Sequence, residues 1–169
     1  NGDTYIGEWL KGMRHGEGIL SFREGKKYKG SFFQDIINGN GTMSFSDGQT
    51  YIGNWVDGLM EGKGVYQDMS GNSYEGQWKN NKYHGVGIFK YSGGDVYDGE
   101  WINGLRSGEG TLIKINGDIY KGRWSANKKE GYVHIPQKVE KSTLVYGTTA
   151  SEVEMERKKS IRKWRWRVL

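Results

Sequence analysis

The residues best suited to acid-base catalysis or metal binding in this chain are its three histidines, His15, His84 and His134. A histidine near neutral pH can accept a proton or ligate a metal, provided that a carboxylate or thiol partner stands beside it. No such partner recurs beside these histidines, and the chain contains no cysteine. The sequence therefore predicts no catalytic residues, no metal site, no cofactor and no enzymatic activity for this chain.

Two Asx-Gly pairs resemble the turns that hold phosphate groups, namely Asp47-Gly48 and Asn116-Gly117. A phosphate loop is followed by a helix whose N-terminus faces the anion, and no helical pattern follows either pair. Each pair is instead followed closely by a tyrosine, Tyr51 or Tyr120. We therefore expect both pairs to form hairpin turns. The tyrosine that follows each pair recurs along the chain, and this recurrence indicates which elements the turns connect.

Tyrosines recur every 23 residues along most of the chain, and each is followed by a glycine two residues later and an aromatic residue four residues later. The tyrosines are Tyr5, Tyr28, Tyr51, Tyr74, Tyr97 and Tyr120, and the second aromatic residues are Trp9, Phe32, Trp55, Trp78, Trp101 and Trp124. A short fixed period predicts a stack of similar supersecondary units with no single central core.

Alternation within each unit predicts a β-hairpin. Tyr5, Gly7 and Trp9 would share one packed face, while Ile6 and Glu8 would lie on the other, wetter face. The seventh residue after each tyrosine is Gly, Asp or Asn, which predicts a positive φ angle there. Links such as Glu24-Gly25 predict two-residue turns between hairpins, so the units would form one antiparallel meander.

Glycine normally weakens a strand, and its recurrence beside aromatic residues requires a reason. We expect each ring to lie flat over a neighbouring residue that has no Cβ. The fold class predicted from these patterns is an all-β repeat, an elongated single-layer antiparallel meander of about six hairpins over residues 1–135. Residues 136–150 would be a capping or linker segment.

The pattern Tyr-x-Gly-x-Trp-x-x-Gly-x-x-x-Gly-x-Gly, as in Tyr51 to Gly64 and Tyr97 to Gly110, resembles the MORN repeat (membrane occupation and recognition nexus) over about residues 2 to 135. The resemblance implies elongated, twisted single-layer sheets that act as a scaffold or binding module. It also implies relatives in ciliary, cytoskeletal and junctional membrane assemblies, and modules attached to enzymes. This chain departs from the pattern at Phe32, Asp35, Asn81 and Asn127.

Two sets of residues are predicted to bind a partner protein. The first is the aromatic groove, formed by Tyr28, Phe32, Tyr51, Trp55, Tyr74, Trp78, Tyr97 and Trp101. The second is an apolar ledge, expected on long hairpin turns along one edge of the sheet and formed by Ile36, Ile37, Leu59, Met60, Tyr83 and Leu105. The alternative for the ledge is that its residues shield one another or lie under the C-terminal tail.

The C-terminal segment, residues 151–169, carries a net charge of +4 of the chain's +5. Ser151 and Glu154 have the spacing of a capping box and predict a basic α-helix, although Trp164 to Val168 alternate like a short strand. Its lipid-binding or docking residues would be Arg157, Lys158, Lys159, Arg162, Lys163, Trp164, Arg165, Trp166 and Arg167. A calmodulin-like partner is a further alternative for the same segment.

The leading functional hypothesis is a cytoplasmic, non-enzymatic adaptor that receives a helical or extended segment of another protein in a cytoskeletal or ciliary assembly. The alternatives are attachment to anionic membrane lipids through the tail, and service as an accessory domain of an enzyme outside this chain. A second copy of the chain is another possible occupant of the aromatic face, and no nucleic-acid partner is expected. Asn1-Gly2-Asp3 resembles a link between units, so we expect the chain to begin inside a longer protein.

Overall fold

The computed structural model describes residues 2–135, and their side chains as far as residue 131. These residues form twelve antiparallel strands in one sheet, in which the strand order follows the chain. The strands are β1 (Thr4–Leu10), β2 (Met13–Ser21), β3 (Lys27–Phe33), β4 (Ile36–Ser44), β5 (Thr50–Val56), β6 (Leu59–Gln67), β7 (Ser73–Lys79), β8 (Lys82–Lys90), β9 (Val96–Ile102), β10 (Leu105–Ile113), β11 (Ile119–Ser125) and β12 (Lys128–Ile135). The predicted meander of hairpins is confirmed.

The predicted C-terminal helix, and the capping segment before it, lie outside the described residues. Within residues 2–135 there is no helix, and hence none long and apolar enough to cross a membrane.

Two-residue turns close the hairpin of each unit and carry the predicted positive φ angles. In the first unit, Lys11 and Gly12 have φ angles of 52° and 80°, and in the fourth, Asn80 and Asn81 have 49° and 63°. Two successive left-handed residues define the turn whose twist matches that of the flanking strands. Gly, Asp and Asn occupy the second turn position because they accept this conformation at the lowest cost.

The links between units differ from the predicted two-residue turns, and that prediction is wrong. In the first link the Gly25 N–H donates to the Phe22 carbonyl, and the Phe22 N–H donates to the Lys26 carbonyl, both at 2.9 Å. Gly25 has a φ of 96°, so the link is a three-residue turn that ends in a left-handed glycine. The glycine was assigned to a turn correctly, but it occupies the third turn position.

A bulge interrupts the ladder inside every hairpin. In the third unit, Gly53 pairs with Gly64 and Trp55 pairs with Met60, so the longer strand has extra residues between these pairs. The left-handed Gly62, with a φ of 68°, lies within the bulge. In the first unit an acidic side chain bonds to the backbone of the bulge, because Glu8 accepts a hydrogen bond from the Glu17 N–H at 2.9 Å. This carboxylate therefore stabilises the bulge.

The predicted role of glycine is confirmed by the packing of the tyrosine rings. Gly53 and Gly64 pair across β5 and β6, and the Tyr51 ring lies over them. A Cβ on Gly64 would stand 2.5 Å from Tyr51 Cε2, which is closer than real Cβ atoms approach another atom. Any side chain at Gly64 would therefore displace the ring.

Substitution at two glycines of the third unit should separate packing from turn conformation. Gly64→Ala should lower the free energy of unfolding by about 2–3 kcal/mol, because the added methyl overlaps the Tyr51 ring. Gly58→Asn should change it by less than about 1 kcal/mol, because Asn81 already occupies the equivalent turn position with a positive φ. Chemical denaturation of both variants measures the difference. Equal losses would contradict the packing role of Gly64.

Candidate partner-binding surface

One face of the sheet, here called the aromatic face, carries a continuous ladder of tyrosine and tryptophan rings. Each of the first five repeat tyrosines contacts the aromatic residue four positions ahead in its own unit and the equivalent residue of the next unit. Tyr51 thus meets Trp55 and Trp78 edge to face, with both ring centroids 5.0 Å away. Edge-to-face pairs add about 0.5–1.5 kcal/mol each beyond the area that they bury. The ladder therefore links each unit to its neighbour.

The polar atoms of the buried rings have partners. The Tyr51 hydroxyl donates to the Asn54 carbonyl at 3.0 Å, and Trp78 Nε1 donates to the Gly64 carbonyl at 3.2 Å. Equivalent tryptophan bonds cross the next two unit boundaries, from Trp101 to Gly87 and from Trp124 to Gly110. Buried donors without partners would destabilise the fold, so these bonds make a complete aromatic layer possible.

The inner tyrosines are completely buried, and this burial raises their pKa. Tyr28, Tyr51, Tyr74 and Tyr97 have no exposed surface. Loss of hydration raises the pKa of Tyr28 and of Tyr97 to about 12, and raises the pKa of Tyr51 and Tyr74 further. These phenols stay neutral at neutral pH and contribute no reactive group.

The eight predicted groove residues all lie in this buried layer, because side chains of the same sheet cover them. The ninth residue after each tyrosine lies over the rings, and these residues are here called the cover row: Arg14, Ile37, Met60, Tyr83, Arg106 and Lys129. A partner seated on the aromatic face would therefore meet the cover row first. The role of the buried rings in partner binding stays a prediction.

The predicted apolar ledge is divided between the two faces of the sheet, so its description as one contiguous surface on long turns is wrong. Ile36 and Ile37 begin β4 directly after a two-residue turn, and Ile37 pairs with Phe32 while Ile36 pairs with Phe33. Successive strand residues point to opposite faces. Ile37, Met60 and Tyr83 thus belong to the aromatic face, and Ile36, Leu59 and Leu105 belong to the opposite face.

The opposite face carries an apolar row, of which the predicted ledge contained only Ile36, Leu59 and Leu105. Its members flank the two-residue turns and are between 37% and 53% exposed: Leu10, Phe33, Ile36, Val56, Leu59, Ile102 and Leu105. Leu10, Phe33, Val56 and Ile102 lie outside the predicted ledge, because that prediction assumed long hairpin turns. A two-residue turn pairs the fifth residue after each tyrosine with the eighth, and both are apolar in most units.

Cations lie over the rings at both ends of the cover row. The Arg14 guanidinium carbon is 5.6 Å from the centre of the Phe32 ring, and its Nε donates to Asp35 at 3.0 Å. The Arg106 guanidinium carbon is 4.4 Å from the centre of the Trp124 ring. Hydrogen bonds from Arg14 hold the pKa of the Asp35 carboxyl below its usual value. Both arginines therefore have fixed positions on the aromatic face.

The middle of the aromatic face has a different character. Tyr66, Tyr83, Phe89 and Tyr91 are half-buried rings that form what is here called the central cluster. Tyr83 stacks on Tyr74 with ring centroids 4.0 Å apart, and Phe89 lies 4.5 Å from Tyr91. Burial raises the pKa of Tyr83, and the nearby Tyr66 and Asp68 raise it further. The cluster is therefore an aromatic surface with hydroxyl groups and a carboxylate close by.

The histidines of the described side chains take no part in this surface. The His15 ring packs 5.3 Å from the Phe33 ring on the opposite face. The Nδ1 atoms of His15 and His84 are buried and lack a hydrogen-bond partner in the described part of the chain. Among the side chains described, no group of three or more His, Cys, Asp or Glu residues is placed to hold a metal ion.

The predicted tail site, from Arg157 to Arg167, lies outside the described residues. Its roles in lipid binding or docking stay predictions.

The family model for the MORN repeat matches residues 5–27, 28–50, 51–73, 74–96, 97–119 and 120–132. This chain therefore belongs to the MORN repeat family. Repeats of this family are generally non-enzymatic modules that bind proteins or membranes, and they occur in membrane-associated and cytoskeletal proteins.

A comparison with curated proteins found no match. Among solved structures, the chain is similar to the SAS-4 (dCPAP) TCP domain of Drosophila melanogaster, solved in complex with a proline-rich motif of Ana2 (dSTIL). The identity is 5%, the TM-score is 0.42, and the match covers 63% of this chain and 59% of that one. A likeness this distant does not bear on function.

The buried tyrosines predict how stability depends on pH. The raised pKa of Tyr28 and of Tyr97, about 12 against an ordinary 10, means that folding favours the neutral phenol. Their contribution to stability is complete below about pH 10 and is lost as the pH rises towards 12. Titration followed by tyrosinate absorbance should show the inner tyrosines ionising only as the sheet unfolds. Ionisation of all eleven tyrosines near pH 10 with the sheet intact would contradict their burial.

Proposed function

We propose that the repeat array is a non-enzymatic binding module that seats a segment of a partner protein on the aromatic face, across the cover row and the central cluster. The observation that carries this proposal is the run of half-buried apolar side chains Ile37, Met60 and Tyr83 over a fully buried ring ladder. A contiguous apolar surface bordered by charged groups is typical of a binding site.

The ladder fixes this surface before any partner arrives. Tyr51 and Trp78 are equivalent to Tyr97 and Trp124, the rings beneath Arg106, and their hydroxyl and indole N–H groups are already bonded to the backbone. A preorganised surface loses little conformational entropy on binding, which favours affinity. The more exposed row around Leu59 on the opposite face has no comparable ring layer in the described structure beneath it, so we assign the partner to the aromatic face.

The spacing of the cover row indicates the form of the partner segment. Successive cover residues lie two strands apart, which is about 10 Å. Seven residues of an α-helix span about 10.5 Å, and three residues of an extended polyproline II helix span about 9 Å, and at these spacings the side chains lie on one side of the segment. A helical or extended segment that crosses the strands would therefore place one side chain on each unit.

The family's occurrence in cytoskeletal proteins supports a role in a cytoskeletal or ciliary assembly. This assignment is part of the proposal.

Neighbouring residues that point to opposite faces provide a matched experiment. A photo-crosslinking amino acid placed at Met60 should capture a partner in cells that express the protein, whereas the same amino acid at Leu59 should not. Met60 belongs to the half-buried cover row, while Leu59 is exposed on the other face. Mass spectrometry of the crosslinked peptide would identify the captured segment.

The double variant Ile37→Gln plus Met60→Gln should reduce capture of the partner by a soluble chemical crosslinker at least about tenfold relative to the wild-type chain, because two apolar contacts worth about 1 kcal/mol each are lost. The control, Ile36→Gln plus Leu59→Gln, changes the opposite face and should leave capture unchanged. Crosslinks formed from position 59 and absent from position 60 would overturn the choice of face.

A further inference from the structure

The aromatic face already binds cations of its own at both ends. At the first unit, the Arg14 guanidinium lies over Phe32, and at the fifth, the Arg106 guanidinium lies over Trp124. The Lys129 ammonium lies 3.2 Å from the centre of the Tyr120 ring. The electron-rich face of an aromatic ring attracts a cation within about 6 Å. The same ring ladder runs through the middle of the sheet.

The middle units lack these cations at the cover row, where Ile37, Met60 and Tyr83 stand instead. The polar framework that holds Arg106 is nevertheless repeated there. The Arg106 N–H donates to Asn127 Oδ1 at 2.9 Å, and the Met60 N–H donates to Asn81 Oδ1 at 2.7 Å. The third unit therefore has the backbone and amide arrangement of a unit with an arginine, but carries an uncharged side chain.

A carboxylate stands beside the central cluster. The seventeenth residue after each tyrosine is Phe22, Phe45, Asp68, Tyr91 and Lys114 in units one to five, so Asp68 interrupts an otherwise aromatic or cationic series. Its oxygens accept hydrogen bonds from the Ser70 and Asn72 N–H groups at 2.8 and 2.9 Å. Hydrogen bonds from Asn72 lower the pKa of Asp68, so the carboxylate is charged at neutral pH.

The negative charge of Asp68 raises the pKa of tyrosines in the central cluster. Burial is the main cause of the raised pKa of Tyr66, and the charges of Asp68 and Asp47 raise it further. The Tyr66 hydroxyl is fixed by its hydrogen bond to the Gln49 side chain. A negative charge and aromatic ring faces at the same place are complementary to a cationic side chain. The charge and the rings each weakly favour binding of a cationic side chain over a neutral one.

We infer that the central cluster binds an arginine or lysine side chain of the partner segment, over the rings of Tyr66, Tyr83 and Tyr91 and beside the Asp68 carboxylate. This inference rests on the proposed function and names the chemistry of its partner. The partner is a basic segment of a protein, with an apolar residue on the side that contacts Met60, the apolar neighbour of Tyr83 in the cover row.

Short peptides test this inference against the full 169-residue chain. The probe is Ac-Leu-Gly-Gly-Arg-Gly-Gly-Leu-NH2, whose side chains stand about 9 Å apart on one side of the chain in the polyproline II conformation. Its control replaces arginine by citrulline, which has the same shape without the charge. NMR titration should show the arginine peptide binding at least about tenfold more tightly, with shifts at Tyr66, Tyr83 and Tyr91 that weaken at high salt.

Two variants locate the cation. Asp68→Asn retains a side chain that can hold the turn, and should reduce the preference for arginine over citrulline to less than about threefold. Met60→Arg introduces a guanidinium above Tyr51 and Trp78, where Asn81 can accept its hydrogen bonds as Asn127 does for Arg106. It should fold as stably as wild type and weaken the arginine peptide at least about tenfold. The control Leu59→Arg adds the same charge on the opposite face and should have little effect.

The outcomes separate this inference from the proposed function. Equal affinity for the arginine and citrulline peptides would overturn the cation site, as would binding of neither peptide. Capture from position 60 in the crosslinking experiment would then still support the binding face. If the crosslinking amino acid at position 60 captured no partner, in contrast, the proposed function would be overturned whatever the peptides show.

Discussion

The structure depends on a flat aromatic ring packed against two glycines that face each other across neighbouring strands. Tyr51 lies over Gly53 and Gly64, and Trp78 of the next unit closes the layer and bonds the Gly64 carbonyl. Glycine weakens a strand, so the stabilising contacts must come from the rings, and half of them come from the neighbouring unit. Stability is therefore shared between adjacent units. Trp9, with no earlier tyrosine among the described residues, is 58% exposed.

This arrangement separates structural positions from positions that are available for recognition. Tyrosine, tryptophan and glycine repeat from unit to unit because the ladder needs them, whereas the cover row changes from Arg14 through Ile37 to Tyr83. The variable side chains rest on a rigid support and face outwards. Under the proposed function, the partner would be selected by the order of side chains along the sheet, with cations at the ends and rings with a carboxylate in the middle.

The sequence predicted the hairpins, the meander and the glycine contacts, because each follows from a repeated pattern in which residue type and conformation are linked. It did not predict the division of the ledge, because Ile36 and Ile37 are both apolar and only the length of the turn decides which face each occupies. Nor did it predict that the rings of the groove are covered, because the cover row combines arginine with aliphatic residues and has no uniform signature. The strand register and the direction of each side chain determine both features, and neither can be read from composition.

A double-mutant cycle across one unit boundary tests the central claim most directly. Tyr51 and Trp78 belong to different units and meet edge to face, so Tyr51→Leu and Trp78→Leu should show a coupling energy of about 0.5–1.5 kcal/mol in chemical denaturation. Tyr51→Leu and Trp124→Leu, which alter rings in units that are not adjacent, should be additive within about 0.5 kcal/mol. Additivity for the neighbouring pair as well would contradict a fold held together by contacts between adjacent units.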